Sequence, residues 1–219
     1  MERITEAFVW PVRDPEWVVK ILIIGLINLI PIVGAINGIG WMLASVDRLR
    51  AGEEKLAPAN LDYLGRGARV FVVEFVYAVA VVAIGMLAYL PALAITVQQN
   101  NGHANAGLIA LAFLLTLAAF GLIALGSLAY TFMLPAVILA TDAHGIAAGL
   151  HLADVVRRCR ANPMNTLIAG LMLIAASFVS SLGVIACGIG AVFTTAYSLA
   201  MQAWIIRSFE IGSTTPKTG

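Results

Sequence analysis

The one carboxylate within a predicted membrane span is Glu74. An ionisable side chain inside a membrane is costly to bury and often serves a function, such as relaying a proton or a cation. Glu74 also lies close along the chain to Arg66 and Arg69, so it could instead pair with an arginine at the membrane surface or reach water. The sequence leaves both interpretations open, and Glu74 is a candidate membrane-embedded polar site.

Two asparagines lie on either side of a segment that is rich in proline and glycine. Asn28 precedes Pro31 and Gly34, and Asn37 is followed by Gly38. Proline cannot donate the helical hydrogen bond and glycine weakens a helix, so we expect a bend at Pro31. Irregular backbone inside a membrane must be covered by protein or line a wet cavity. The asparagines could therefore line a cavity or hydrogen-bond between helices, and the two glycines would allow close helix packing.

Motifs for catalysis are missing from the sequence. It contains no G-x-S-x-G, H-E-x-x-H, phosphate-loop or C-x-x-C pattern. The nearest approach to a metal site is the set Asp142, His144, His151 and Asp154, of which His151 and Asp154 share one helical face. Asp154 is spaced equally well to pair with Arg157 and Arg158. We predict no catalytic residue, no metal site and no enzyme activity, and the sequence identifies no cofactor.

Three segments without any Asp, Glu, Lys or Arg make up most of the chain: residues 21–46, 75–141 and 161–206. A membrane helix needs about 20 predominantly apolar residues, so the sequence predicts an integral membrane protein. Charged residues form only 11% of the chain, against about 25% in an average globular domain. The net charge of +1 gives no reason to expect a nucleic-acid partner.

The predicted fold is all-α: a polytopic helical membrane protein with four full spans and an N-terminal pair of short or re-entrant helices. Trp10 and Trp17 are expected at the lipid–water boundary, and Asp14 is expected to cap the first helix. The segments of this single domain, 1–219, are an amphipathic element at 1–17, a broken helix pair at 18–50, spans at 67–97 and 106–141, an interfacial helix at 142–162, a helical hairpin at 163–207 and a flexible tail at 208–219.

The positive charges predict the orientation, because Lys and Arg near membrane helices favour the cytoplasm. If residues 21–46 return to the side from which they start, all 13 Lys and Arg residues lie on one side. The loops at 98–105 and 183–190 then carry none. We expect both termini in the cytoplasm, with a single crossing by 21–46 as the alternative. Cys159 and Cys187 then lie on opposite sides of the membrane, so we expect no disulfide.

Several motifs resemble those of a known family. They are the Pro-Val-Arg-Asp-Pro-Glu-Trp run of Pro11–Trp17, the Ile-Pro-Ile-Val-Gly run of Ile30–Gly34, and Cys187–Gly190 followed by Phe193–Tyr197. Together they resemble the prokaryotic integral membrane family catalogued as domain of unknown function 4013, over roughly residues 8–207. That family has no assigned reaction, so the resemblance implies only a membrane fold and a prokaryotic origin.

The sequence favours a non-catalytic structural or accessory subunit of a larger membrane assembly, because it shows no chemistry and its soluble parts are small. One alternative is a transporter or channel component with a path near the Pro31 bend. Another is a membrane-shaping protein. Expected partners are the lipid bilayer and either other membrane subunits or copies of the same chain, in the inner membrane of a prokaryote. Polar residues converging on a wet cavity would favour transport.

Overall fold

The computed structural model describes residues 4–100, 102, 105–185 and 189–214. It is 87% helix, and the described residues contain no strand, which confirms the predicted all-α class. Two short 3-10 helices, Ile4–Phe8 and Trp10–Arg13, come first. The α-helices that follow are α1 (Trp17–Asn28), α2 (Val33–Arg50), α3 (Leu64–Asn100), α4 (Ala106–His144), α5 (Ile146–Leu150), α6 (Leu152–Ala161), α7 (Pro163–Ile185) and α8 (Ile189–Thr214).

Three of these helices are long and apolar enough to cross a membrane. The apolar segments are Leu64–Gln99 in α3, Ala106–His144 in α4 and Pro163–Gly183 in α7, and α1 is a shorter apolar helix. The predicted fourth full span is not found among the described residues. The protein is therefore all-helical, with three helices that could cross a membrane.

The chain divides into two compact units. The first comprises Met1–Val73 and Thr131–Gly219, and the second comprises Glu74–Tyr130. In the second unit, α3 and α4 approach closely at Gly85. A β-carbon at Gly85 would lie only 2.1 Å from the side chain of Ile123. The predicted single membrane domain stays a prediction.

Helix α8 is the centre of the first unit, and α1, α2, α7 and both 3-10 helices pack against it. Trp10 is fully buried in this packing. Its Nε1 donates to the carbonyl oxygen of Ala200 at 3.0 Å, and its ring stacks on Trp204 with 5.7 Å between ring centroids. Trp10 therefore faces protein, and its position at the lipid–water boundary stays a prediction. Its long-range contacts hold the N-terminal segment against α8.

Asp14 is not the helix cap that the sequence predicts. Helix α1 begins at Trp17, and its cap residue, Glu16, makes no side-chain capping bond. Asp14 is only 1% exposed; its Oδ2 accepts from Lys20 Nζ at 2.8 Å and from the Leu56 amide at 2.9 Å. Burial alone raises the pKa of Asp14, but the bonds from Lys20 and two main-chain amides outweigh it and hold the pKa below its usual value. Asp14 thus ties the N-terminal segment to the connection between α2 and α3.

That connection lies along one face of α2. Asn37 Nδ2 donates to the carbonyl oxygen of Asn60 at 2.9 Å, and Trp41 Nε1 donates to that of Ala57 at 3.0 Å. The Ala57 amide donates to the hydroxyl of Ser45 at 3.2 Å. Residues spaced by four lie on the same side of a helix, so these three α2 side chains hold the connection in place.

Two predicted segments differ from the structure in their helical limits. The interfacial helix predicted at 142–162 is interrupted: α4 ends at His144, Gly145 has φ 86°, and His151 separates α5 from α6. Helix α8 continues to Thr214, so the first part of the predicted flexible tail is helical. The middle of the predicted turn at 183–190 lies outside the described residues.

Candidate functional site

The break between α1 and α2 is a tight and strained turn. Pro31 and Ile32 lie between the two helices, and the carbonyl oxygen of Pro31 accepts from the Val33 amide at 2.7 Å. Ile32 has φ 64° and ψ −56°, which is a γ-turn with positive φ, a rare conformation for a β-branched residue. Backbone strain of this kind costs on the order of 1–3 kcal/mol and is found most often at functional sites. The predicted Pro31 bend is therefore present, with its tightest point at Ile32.

Gly34 and Gly38 bring the two halves of the broken pair together, as their spacing predicts. A β-carbon at Gly34 would lie 2.3 Å from the carbonyl oxygen of Ile27. A β-carbon at Gly38 would lie 2.9 Å from Asn28 Oδ1 and 2.8 Å from Leu199 Cδ1. The missing side chain at Gly38 therefore makes room for the Asn28 amide beside α8.

Asn28 lies at a cavity of about 430 Å³ among α1, α2, α7 and α8. Most of its lining side chains are hydroxyls or amides, and none of them is charged. The lining residues are Asn28, Ala35, Ile39, Ser177, Ser180, Thr195, Ser198, Leu199 and Gln202, hereafter the polar cavity.

The polar side chains of α7 and α8 share one face of each helix. Ser177 and Ser180 are three residues apart on α7, while Thr195, Ser198 and Gln202 follow at spacings of three and four on α8. Such spacings place side chains on one side of a helix. These five polar residues were not predicted to line a cavity. The pattern that could have indicated it is polar residues at helical spacing within apolar helices.

Three of the four hydroxyl groups that line the cavity already donate their hydrogens within the protein. Ser177 and Thr195 donate to main-chain carbonyls of their own helices at 2.9 and 2.7 Å. Ser198 donates to a carbonyl of α7 at 2.9 Å. The oxygen lone pairs of these side chains remain available, because a hydroxyl donates one hydrogen bond but can accept two.

The two amides add further acceptors. Gln202 donates from Nε2 to the Ser198 hydroxyl at 3.3 Å, which leaves its carbonyl oxygen as an acceptor. Asn28 Oδ1 is buried and has no hydrogen-bond partner among the described residues. An unpaired buried acceptor is costly, so the polar cavity is suited to a species that donates hydrogen bonds or carries positive charge.

Asn37 and Glu74, the other predicted polar site residues, do not line the polar cavity. Asn37 is fully buried and its amide nitrogen bonds to Asn60, in the connection. Glu74 belongs to the second unit and is half-buried. No ion pair of Glu74 is found among the described residues, and Arg66 pairs instead with Asp142. The predicted pairing of Glu74 with an arginine is thus not observed.

The interfacial segment predicted at 142–162 contains local ion pairs. Asp154 accepts from Arg157 at 2.8 Å, while His151 Nδ1 lies 3.5 Å from the same carboxylate. Among the described residues, no group of three His, Cys, Asp or Glu could hold a metal ion. Cys159 is a free thiol, and burial raises its pKa. Cys187, its possible partner, lies outside the described residues.

These features define an all-helical protein with helices that could cross a membrane and a polar cavity beside a broken helix pair. The family described as "Protein of unknown function (DUF4013)" matches residues 23–189, and the chain belongs to this family. The matched range is shorter at both ends than the resemblance over 8–207 suggested. It includes the Pro31 bend and Ser177 but ends before Gln202. No curated protein and no solved structure matches the chain.

Proposed function

We propose that the protein is a non-catalytic, multi-pass component of a transporter or channel in a prokaryotic cytoplasmic membrane, with both termini in the cytoplasm. Its polar cavity binds a small monovalent cation. One observation carries this proposal: uncharged oxygen acceptors from α1, α7 and α8 converge beside the break between α1 and α2. In many transporters, ion sites lie where a membrane helix is interrupted.

The chemistry of the lining supports a monovalent cation over other solutes. The hydroxyls of Ser177, Thr195 and Ser198 spend their hydrogens on main-chain carbonyls, so they face the cavity as acceptors. Asn28 adds an acceptor that has no partner among the described residues. Divalent cations such as calcium are usually bound with carboxylates, and no lining residue of the polar cavity has one.

Cation uptake into proteoliposomes tests this function. We expect sodium, potassium or ammonium to enter the proteoliposomes faster than they enter protein-free liposomes. The double substitution Asn28→Leu with Gln202→Leu should abolish this difference, because it removes both amide oxygens. Ser181→Ala is the matched control, since Ser181 lies on α7 but is exposed and bonds to its own helix. Equal uptake by the double variant and the native chain, or no uptake of any of the three cations, would contradict the proposal.

An accessory-subunit role is a second candidate, and an observation in the second unit supports it. The aromatic side chains of Phe75, Phe113 and Phe120 are 60%, 67% and 64% exposed. Aromatic side chains are enriched at protein interfaces. Native mass spectrometry after gentle extraction tests this role: stoichiometric membrane subunits would support it, and a lone chain would contradict it.

A further inference from the structure

The ends of several helices meet in a network of ion pairs in the first unit. Arg66 on α3 binds Asp142 on α4 through two bonds of 2.7 and 2.8 Å, and it also binds Asp47 on α2. Arg50 binds Glu210 on α8 at 3.0 and 2.9 Å, and Asp47 at 2.8 Å. Paired bonds from one guanidinium to one carboxylate are both strong and directional.

The charges inside this network cancel. Arg207 completes it by donating to Glu210 at 2.8 Å. Burial alone raises the pKa of Glu210, but the bonds from Arg50 and Arg207 outweigh it and hold the pKa below its usual value. The Glu210 carboxylate is therefore charged at neutral pH. The neutral network consists of Arg50, Arg66 and Arg207 with Asp47, Asp142 and Glu210.

Two adjoining clefts beside the network contain extra positive charge. They share Arg50 and Glu210 in their linings, and their volumes are about 690 and 350 Å³. Arg69 lines the larger cleft and Arg158 lines the smaller one. Both side chains are exposed, and neither forms an ion pair with any residue that the structure describes. Because the network is neutral, these two arginines leave a net positive charge at the clefts.

The smaller cleft combines this charge with an apolar wall. Ala136, Leu139 and Phe209 contribute to that wall. Arg158 belongs to α6, an amphipathic helix whose Leu152 is 52% exposed. Amphipathic helices rich in arginine on one face commonly lie at the membrane surface, at the depth of the lipid headgroups.

We propose that the adjoining clefts bind an anionic phospholipid such as phosphatidylglycerol. Arg69 and Arg158 hold its phosphate, and an acyl chain lies along the wall formed by Leu139 and Phe209. Arginine matches the geometry of phosphate oxygens, and basic pockets between membrane helices on the cytoplasmic side bind anionic headgroups. This site is separate from the polar cavity and does not depend on the proposed cation.

Native mass spectrometry of the full chain in detergent, titrated with phosphatidylglycerol, tests the site. An arginine near an anionic surface contributes a factor of about five in affinity. The double substitution Arg69→Gln with Arg158→Gln should therefore weaken phosphatidylglycerol binding roughly 25-fold. Arg69→Lys with Arg158→Lys should retain most of the binding, which also shows that the positions tolerate change. Phosphatidylcholine should bind the native chain weakly.

A charge-matched control distinguishes a specific lipid site from general electrostatic attraction of an anionic lipid. Arg48→Gln with Arg160→Gln removes the same charge outside both clefts, and it should weaken binding less than about fivefold. An equal loss of phosphatidylglycerol binding in both double variants would overturn the proposal. Glycerol phosphate, which has the headgroup but no acyl chain, distinguishes a lipid from a free phosphate. If glycerol phosphate or inorganic phosphate bound as tightly as phosphatidylglycerol, the cleft would be a phosphate site and the lipid proposal would be wrong.

Discussion

Asp14→Asn tests how the N-terminal segment is held to the rest of the first unit. Asp14 is 1% exposed, and its carboxylate accepts three hydrogen bonds of 2.8–2.9 Å, one of them from Lys20. Breaking a buried ion pair by changing one partner costs roughly 3–5 kcal/mol. Asparagine has the same size and keeps one acceptor oxygen, and Lys20 keeps its 3.4 Å bond to the carbonyl of Leu56. We therefore expect a loss of about 3 kcal/mol in the free energy of unfolding.

Glu16→Gln is the matched control, because Glu16 is the other carboxylate partner of Lys20. The two side chains are 3.4 Å apart, and that of Glu16 is 74% exposed. Exposed ion pairs contribute about 0.2–1 kcal/mol. In thermal unfolding followed by tryptophan fluorescence, 1 kcal/mol shifts the midpoint by about 2–4 °C for a chain of this size. Asp14→Asn should lower Tm by roughly 6–12 °C, and Glu16→Gln by roughly 4 °C or less.

The pH dependence gives a second check on the same side chain. Because the folded chain holds the pKa of Asp14 below its usual value, its stabilisation is fully present above the unfolded pKa of about 3.9. That stabilisation is lost as the pH falls through the lower, folded pKa. The gap in Tm between the native chain and Asp14→Asn should therefore narrow in acid. If Asp14→Asn lowered Tm no more than Glu16→Gln, or if the gap stayed unchanged in acid, the buried ion pair of Asp14 would not be what holds the N-terminal segment.

Three further predictions concern packing, the connection and the free thiol. Gly25→Ala would place a β-carbon 2.0 Å from a main-chain oxygen of α8, so it should lower the free energy of unfolding by about 1–3 kcal/mol in a denaturation experiment. Gly65→Ala is the control, because its β-carbon would enter open space. It should lower the free energy of unfolding by less than about 1 kcal/mol or raise it. Trp41→Phe removes the 3.0 Å bond to Ala57, so it should cost about 1 kcal/mol and speed proteolysis between α2 and α3. Because burial raises the pKa of Cys159, its alkylation, followed by mass spectrometry, should be slow at neutral pH and faster in alkali; fast reaction at neutral pH would contradict this.

The bend at Pro31 was predictable because its cause is local. Proline removes a hydrogen bond from the interior of a helix. The bounds of α1 and α2 agree closely with the predicted broken pair at 18–50. The γ-turn at Ile32 was not predictable from the sequence. Nothing about an isoleucine favours positive φ, so that conformation follows from the contacts between the two helices on either side.

The polar lining was only partly predictable, because it depends on long-range contacts. Asn28 and Asn37 look alike in the sequence, yet only Asn28 faces the polar cavity, while Asn37 bonds to Asn60 in the connection. Ser177 and Thr195 bond to carbonyls within their own helices, and such residues cannot be told from packing residues by type alone. Their place at the cavity follows from how α7 packs on α8.

The proposed cation site requires that the polar cavity is wet and lies within the membrane. The most direct test is the reaction of Ala35→Cys with a membrane-impermeant methanethiosulfonate, in a chain that also carries Cys159→Ser and Cys187→Ser. Ala35 lines the polar cavity. Leu171→Cys is the control, since Leu171 is a 53% exposed residue within the apolar segment of α7. The thiolate, which forms in water, is the nucleophile that attacks such reagents. We expect rapid labelling at position 35 and little at position 171; equally slow labelling at both positions would mean that the cavity is not wet.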